Sequence, residues 1–189
     1  MKTHKDAFLI KYNPTRTRTK ALSSGITASV QHNSLYRKNV EQDLKDAVLC
    51  EWRSYLGALV ERYKEPQCVE VYEQDIENLK KVMNDKFSEA FLSKPHKRYK
   101  TDPGFRLSHA QKSISVFLKH LWCMGEVACP PQCPVDRSIL EVAGKRYPDT
   151  KWGYVNSIEE HRQKVGFLEK AKVQLSEPLA EWELKKFKA

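Results

Sequence analysis

The chain has 189 residues with 33 Lys and Arg against 24 Asp and Glu, and a sequence pI near 9.3, a balance that favours an anionic partner over a cationic one. Its length fits one domain with a real core, and four Trp with 40% hydrophobic residues exclude wholesale disorder. No apolar run approaches the roughly 18–20 residues of a membrane span, and the early apolar stretch breaks at Lys11, so the expectation is a cytoplasmic protein without a signal or a membrane partner. Five Cys, an odd count, point to free thiols or metal ligands rather than a disulfide framework. With seven Gly and no Gly-rich loop, the P-loop and dinucleotide fingerprints are absent and no cofactor is expected.

The excess charge is uneven. Residues 1–40 hold eight bases and one acid, residues 41–92 seven and twelve, residues 93–120 seven and one, and residues 121–189 eleven and ten. Residues 11–34 are rich in Thr, Ser, Lys and Arg and lack a sustained period, which predicts a basic, partly flexible arm over 1–39, with a short strand or turn at 7–12. A single helical domain over 40–189 follows.

From Val40, apolar positions Leu44, Val48, Trp52, Tyr55, Leu56, Leu59, Val60 and Tyr63 recur every three or four residues up to Pro66, and Val69, Tyr72, Ile76, Leu79, Met83, Phe87 and Phe91 repeat the period before Pro95. This predicts an antiparallel helical hairpin over 40–92. A basic connection, Lys94-Pro95-His96-Lys97-Arg98-Tyr99-Lys100, leads through Pro103-Gly104 to a third helix over 108–124, with Ile114, Phe117, Leu118, Leu121 and Trp122 on one side and Gly125 placed to end it. Three prolines in 130–134 fix a loop, Asp136 stands as the N-cap of a short helix, Ser157 and Glu160 form a capping box, and 177–187 forms a last helical piece. The expected fold is all-α, a compact bundle of five to six helices with a basic arm.

The most informative segment is Pro103-Gly104-Phe105-Arg106-Leu107-Ser108-His109-Ala110-Gln111-Lys112, followed by Cys133-Pro134-Val135-Asp136. A turn feeds a helix that carries a lysine early, and a proline loop delivers an aspartate at the next helix start. Over residues 101–146 this resembles the helix-hairpin-helix DNA glycosylase superfamily. The resemblance implies a hairpin that offers backbone N–H groups to a DNA phosphate, Lys112 as the Schiff-base nucleophile, and Asp136 as the carboxylate that activates it and stabilises an oxocarbenium-like sugar. Both groups must reach one sugar, so they must face one cleft within roughly 10 Å of each other.

Arg16, Arg18 and Lys20 in the arm, and Lys94, Lys97, Arg98, Lys100, Arg106 and Lys119 with interleaved Tyr99 and Phe105, suit phosphate neutralisation and base stacking, which makes nucleic acid, and DNA first, the expected partner. His120, Cys123, Cys129 and Cys133 are the candidate zinc ligands, although their spacing matches no standard knuckle and buried thiols are the commoner use, so no metal is expected. Trp52, Trp122, Trp152 and Trp182 read as core anchors, and His109 and His161 as structural. Two alternatives to a glycosylase or abasic-site lyase stay open: a non-catalytic nucleic-acid-binding regulator or mobile-element accessory factor, and a protein–protein module using the acidic hairpin. The sequence does not fix the oligomeric state.

Overall fold

The computed structural model describes residues 3–31, 33–92 and 104–186. Among them the chain forms eight α-helices: α1 (His4–Tyr12), α2 (Arg18–Val30), α3 (Gln42–Arg62), α4 (Val69–Phe87), α5 (Leu107–Met124), α6 (Arg137–Val142), α7 (Ile158–Ala171) and α8 (Leu179–Lys186). A single 3₁₀ turn, Ser88–Ala90, follows α4, and the β pairing among these residues is one isolated bridge between Tyr36 and Phe91. The class is all-α as expected, with more helices than the five to six predicted.

The hairpin α3–α4 follows directly from the three-four spacing. Val48, Trp52, Leu56, Leu59 and Val60 of α3 and Tyr72, Ile76, Leu79 and Met83 of α4 are buried. Part of its acidity is spent inside the fold. Asp75 accepts hydrogen bonds from the Arg62 guanidinium and, at 2.9 Å, from the Tyr63 hydroxyl, while Glu73 accepts two from Arg162 of α7 at 2.9 and 2.7 Å.

Helix α5 runs through the middle of the molecule. Sixteen of its eighteen residues are buried, so the apolar side predicted for it is only part of its buried surface. It is ended by Gly125, which adopts φ +80°. The Trp52 indole N–H donates to Ser113 Oγ at 3.0 Å, which ties α3 to this axis.

The basic arm expected over 1–39 is instead largely helical. Thr3 and Thr17 cap α1 and α2 by accepting from the N–H groups of Asp6 and Lys20. Helix α2 carries no apolar period because, beside Ile26, its inward residues are small: Ala21, Gly25 and Ser29. Small residues are what its packing requires. A Cβ at Gly25 would lie 2.7 Å from the Ser113 carbonyl oxygen and 3.3 Å from the Phe117 Cβ, so α2 approaches α5 nearly backbone to backbone. We expect Gly25→Leu to overpack this contact, lowering the unfolding free energy by about 3 kcal/mol or more in chemical denaturation. A change under about 0.5 kcal/mol would show that the approach is looser than described.

The two caps read from the sequence form as predicted. Asp136 Oδ1 accepts from Ile139 N at 3.0 Å to start α6, and Ser157 and Glu160 exchange both bonds of a capping box to start α7. Around the C-terminal half a second, smaller core gathers Cys133, Val135, Ile139, Leu140, Leu168, Leu179 and Trp182. No helix among the described residues is long and apolar enough to cross a membrane.

Candidate functional site

Helix α5 places Lys112 and Lys119 seven residues apart, hence two turns and about 10 Å along one face. Neither is a solvated helix lysine: their side chains are 8% and 5% exposed. Each meets a carboxylate from a later element. Lys112 Nζ donates to Asp136 Oδ2 at 2.5 Å, and Lys119 Nζ donates to both oxygens of Glu183, on α8, at 2.8 and 2.7 Å.

The proline loop delivers Asp136 because Gln111, the neighbour of Lys112, holds it by two bonds. Its side-chain amide donates to Val135 O at 2.9 Å and its carbonyl accepts from Val135 N at 3.4 Å. Burial tends to raise the Asp136 carboxyl, but the charge and hydrogen bond of Lys112, with the Ile139 N–H, outweigh it and hold the group below the ordinary carboxylate range. Burial has the upper hand at Glu183, whose carboxyl is raised despite Lys119.

These four charged side chains line a cleft of about 660 Å³. Lys20, Ser24, Thr27 and Gln31 of α2 form one wall, and Phe8, His120, Arg137 and Trp152 complete the surround. Lys112 Nζ stands 5.7 Å from the centroid of the Trp152 ring, and Lys119 Nζ 4.6 Å from that of Phe8. Burial, with the Lys119 and Lys20 charges, pushes the His120 imidazole down to about 4, so it is neutral at pH 7, and its Nδ1 has no partner among the described residues. A cleft that combines cations, a neutral imidazole, aromatic rings and an ionised carboxylate suits a polar, partly aromatic, anionic ligand.

The other residues expected to bind nucleic acid divide sharply. Lys94, Lys97, Arg98 and Lys100 lie outside the described residues. Lys20 edges the cleft, whereas Arg16 is paired with Asp6 at 2.8 Å and Arg18 with Glu126 on the surface. Arg106 is a correction: it is 1% exposed, and its guanidinium donates to Asn33 Oδ1 at 2.5 Å and Ser34 O at 2.8 Å, closing the loop after α2 onto α5. Lys119 likewise faces Glu183 rather than solvent. The described part of the basic strip is therefore internal, because α5 is buried on all sides.

The turn at 104–107 also differs from what the resemblance implies. The N–H of Gly104 donates to Leu92 O at 2.8 Å, that of Phe105 to Asn84 Oδ1 at 2.9 Å, that of Arg106 to His109 Nδ1 at 3.1 Å and that of Leu107 to Asn156 Oδ1 at 3.2 Å. With these donors committed inside the fold, this turn does not offer them to a phosphate.

Among the described residues no three His, Cys, Asp or Glu side chains are placed to share a metal ion, so His120, Cys123, Cys129 and Cys133 are not brought together as ligands. Burial pushes the thiols of Cys123 to about 12 and Cys129 to about 11, and that of Cys133 well above the ordinary range, which makes them protonated and poorly reactive. Trp52, Trp122 and Trp182 are core residues, whereas Trp152 is half-buried and lines the cleft. Apart from Lys20, neither the α2 wall nor Glu183 carries a motif in the sequence. The available signal for Glu183 was the pair of lysines at i and i+7 on a helix without an acidic residue, which calls for acids from other elements once that helix is buried.

His109 and His161 are structural. His109 Nδ1 accepts from Arg106 N, so its Nε2–H faces Asn33 O at 3.1 Å, and His161 Nε2 meets Gln132 Oε1 at 2.7 Å. Burial, aided by a neighbouring arginine in each case, lowers them to about 3 and about 4. In the unfolded chain each titrates near 6.5, as does His120. Between the folded and unfolded values the unfolded chain binds more protons, so stability falls as pH drops below about 6.5. We expect a loss of about 2 kcal/mol per histidine on going to pH 5, visible as a steep fall in Tm. A Tm constant from pH 7 to 5 would contradict this assignment.

Comparison of the chain with protein-family models, with curated proteins and with solved structures finds no match.

Proposed function

We propose that the cleft is a nucleotide site at which Lys112 forms a Schiff base with the sugar of an abasic or damaged nucleotide in DNA. The observation that supports this reading is the Lys112–Asp136 pair, 2.5 Å apart and lining a cleft large enough for a nucleotide. A hydrophobic core gains little from buried ion pairs, since the cost of desolvating both charges offsets their attraction. Two such pairs side by side on a central helix, at the edge of a cleft, are better explained by chemistry than by stability.

The reaction would run along the existing hydrogen bond. As the sugar aldehyde at C1′ enters, Lys112 Nζ gives a proton to Asp136 and the neutral amine adds to C1′. Asp136 returns that proton to the hydroxyl of the carbinolamine, which leaves as water, and a protonated C=N bond remains between Nζ and C1′. Asp136, ionised and fixed by Ile139, also stabilises positive charge that develops at the sugar. Trp152 offers a face for stacking, and Lys20 offers charge for a phosphate.

Borohydride reduction is the test. Incubated with a DNA duplex carrying one abasic site, the wild-type chain should give a covalent protein–DNA band that is absent for Lys112→Ala. Its absence with every abasic and damaged substrate tried would remove the enzymatic reading. Salt-dependent binding retained in that case would leave a non-catalytic nucleic-acid-binding protein.

A further inference from the structure

The turn before α5 commits its N–H groups internally and the described cations of α5 are paired, so a DNA backbone entering the cleft needs its phosphate contacts elsewhere. A second concavity, of about 760 Å³, adjoins the cleft and shares Arg137 and Trp152 with it. It is formed by the segment between α6 and α7. Lys145, Arg146 and Lys151 line it, and Glu141, the acid in its lining, is engaged by Arg137 at 2.7 Å.

The segment is held firmly at its far end. Ser108 Oγ donates to Gly153 O at 3.0 Å, Ser108 N donates to Val155 O at 3.0 Å, and Lys164 Nζ donates to Asp149 O at 2.6 Å. On this anchored frame Tyr147 is 75% exposed, an unusual setting for a large aromatic ring. Lys151 Nζ lies 4.3 Å from the centroid of that ring and 5.2 Å from that of Tyr154, so charge and π-faces are interleaved within one nucleotide's reach.

We infer that this concavity is a single-stranded DNA subsite that holds the nucleotides flanking the one in the cleft, with their phosphates on Lys145, Arg146 and Lys151 and a base stacked on Tyr147. The inference rests on the reading of the cleft as a nucleotide site. Three cations along a groove with one exposed and two half-buried rings are the pattern of sequence-tolerant single-strand binding, in which charge follows the backbone and aromatic faces take the bases. An acidic peptide would use the cations but have no need of the tyrosine face.

The test is an anisotropy titration of a fluorescein-labelled single-stranded oligodeoxynucleotide with the full chain at several salt concentrations. Tyr147→Ala should weaken binding about tenfold with little change in salt dependence. Arg146→Gln combined with Lys151→Gln should reduce the slope of log K against log salt by about 1.4, from about 0.7 for each lost phosphate contact. Both variants alter exposed or half-buried side chains, and an unchanged thermal melt verifies that they fold. Unchanged affinity in both variants, no binding by the wild type, or equal competition by polyglutamate would each overturn the subsite. Borohydride trapping separates the two claims: variant-sensitive binding without any adduct retains the subsite and removes the chemistry, whereas an adduct formed equally by wild type and variants retains the chemistry and removes the subsite.

Discussion

Glu183→Ala should lower the unfolding free energy by about 3 kcal/mol, because it removes both carboxylate oxygens to which the buried Lys119 ammonium donates. The side chains of the pair are 5% and 4% exposed, so solvent cannot take over as partner. The double replacement Lys119→Met with Glu183→Leu removes both charges and should recover most of the loss. Urea titrations of the wild type, Glu183→Ala, the single variants Lys119→Met and Glu183→Leu, and the double variant measure the difference. A double variant as unstable as the worse single one would show that the pair supplies net stability, and would weaken the argument that buried charge on α5 is kept for a site.

The second large effect concerns Lys112. Lys112→Arg keeps a cation opposite Asp136 but cannot form an imine, so it should fold and give no borohydride adduct. Lys112→Ala should lose the adduct and also some stability, by about 1–2 kcal/mol, because the Asp136 carboxylate keeps the Ile139 N–H but loses its cation. Asp136→Asn preserves an N-cap acceptor for Ile139 while removing the proton acceptor for Lys112. It should slow adduct formation on the order of 10²–10⁴-fold. If Asp136→Asn trapped DNA as fast as the wild type, the carboxylate would be a cap and an anchor and not part of the chemistry.

What could be read from the sequence followed from how strongly each residue type constrains its surroundings. The α3–α4 hairpin was legible because its large apolar side chains repeat at helical spacing, and Asp136, Ser157 and Glu160 were legible because a cap is a local bond between residues three apart. Helix α2 was not. Its Gly25 and Ser29 carry no apolar period, and the reason Gly25 is small is a contact with α5 some 90 positions later in the chain.

The site shows the same division. Lys112 and Asp136 were marked by the turn-helix-lysine and Pro-Val-Asp pattern, and the fold brings them to hydrogen-bond distance. The basic run marks Arg106 for phosphate neutralisation, yet its donors are used to fasten Asn33 and Ser34. Glu183 and Tyr147 belong to distant segments with no local motif. The packing of α8 on α1 and α6, and the Ser108 bonds that hold the segment before α7, bring them to the cleft and its neighbour.

The most direct measurement of the central claim is peptide mapping of a borohydride-reduced adduct by mass spectrometry. After digestion of the DNA and the protein, the residual sugar mass should sit on the peptide containing Lys112 and on no other lysine. A modification on Lys20 or Lys119 instead, or no modified peptide from a duplex with an abasic site, would contradict the assignment of Lys112 as the nucleophile.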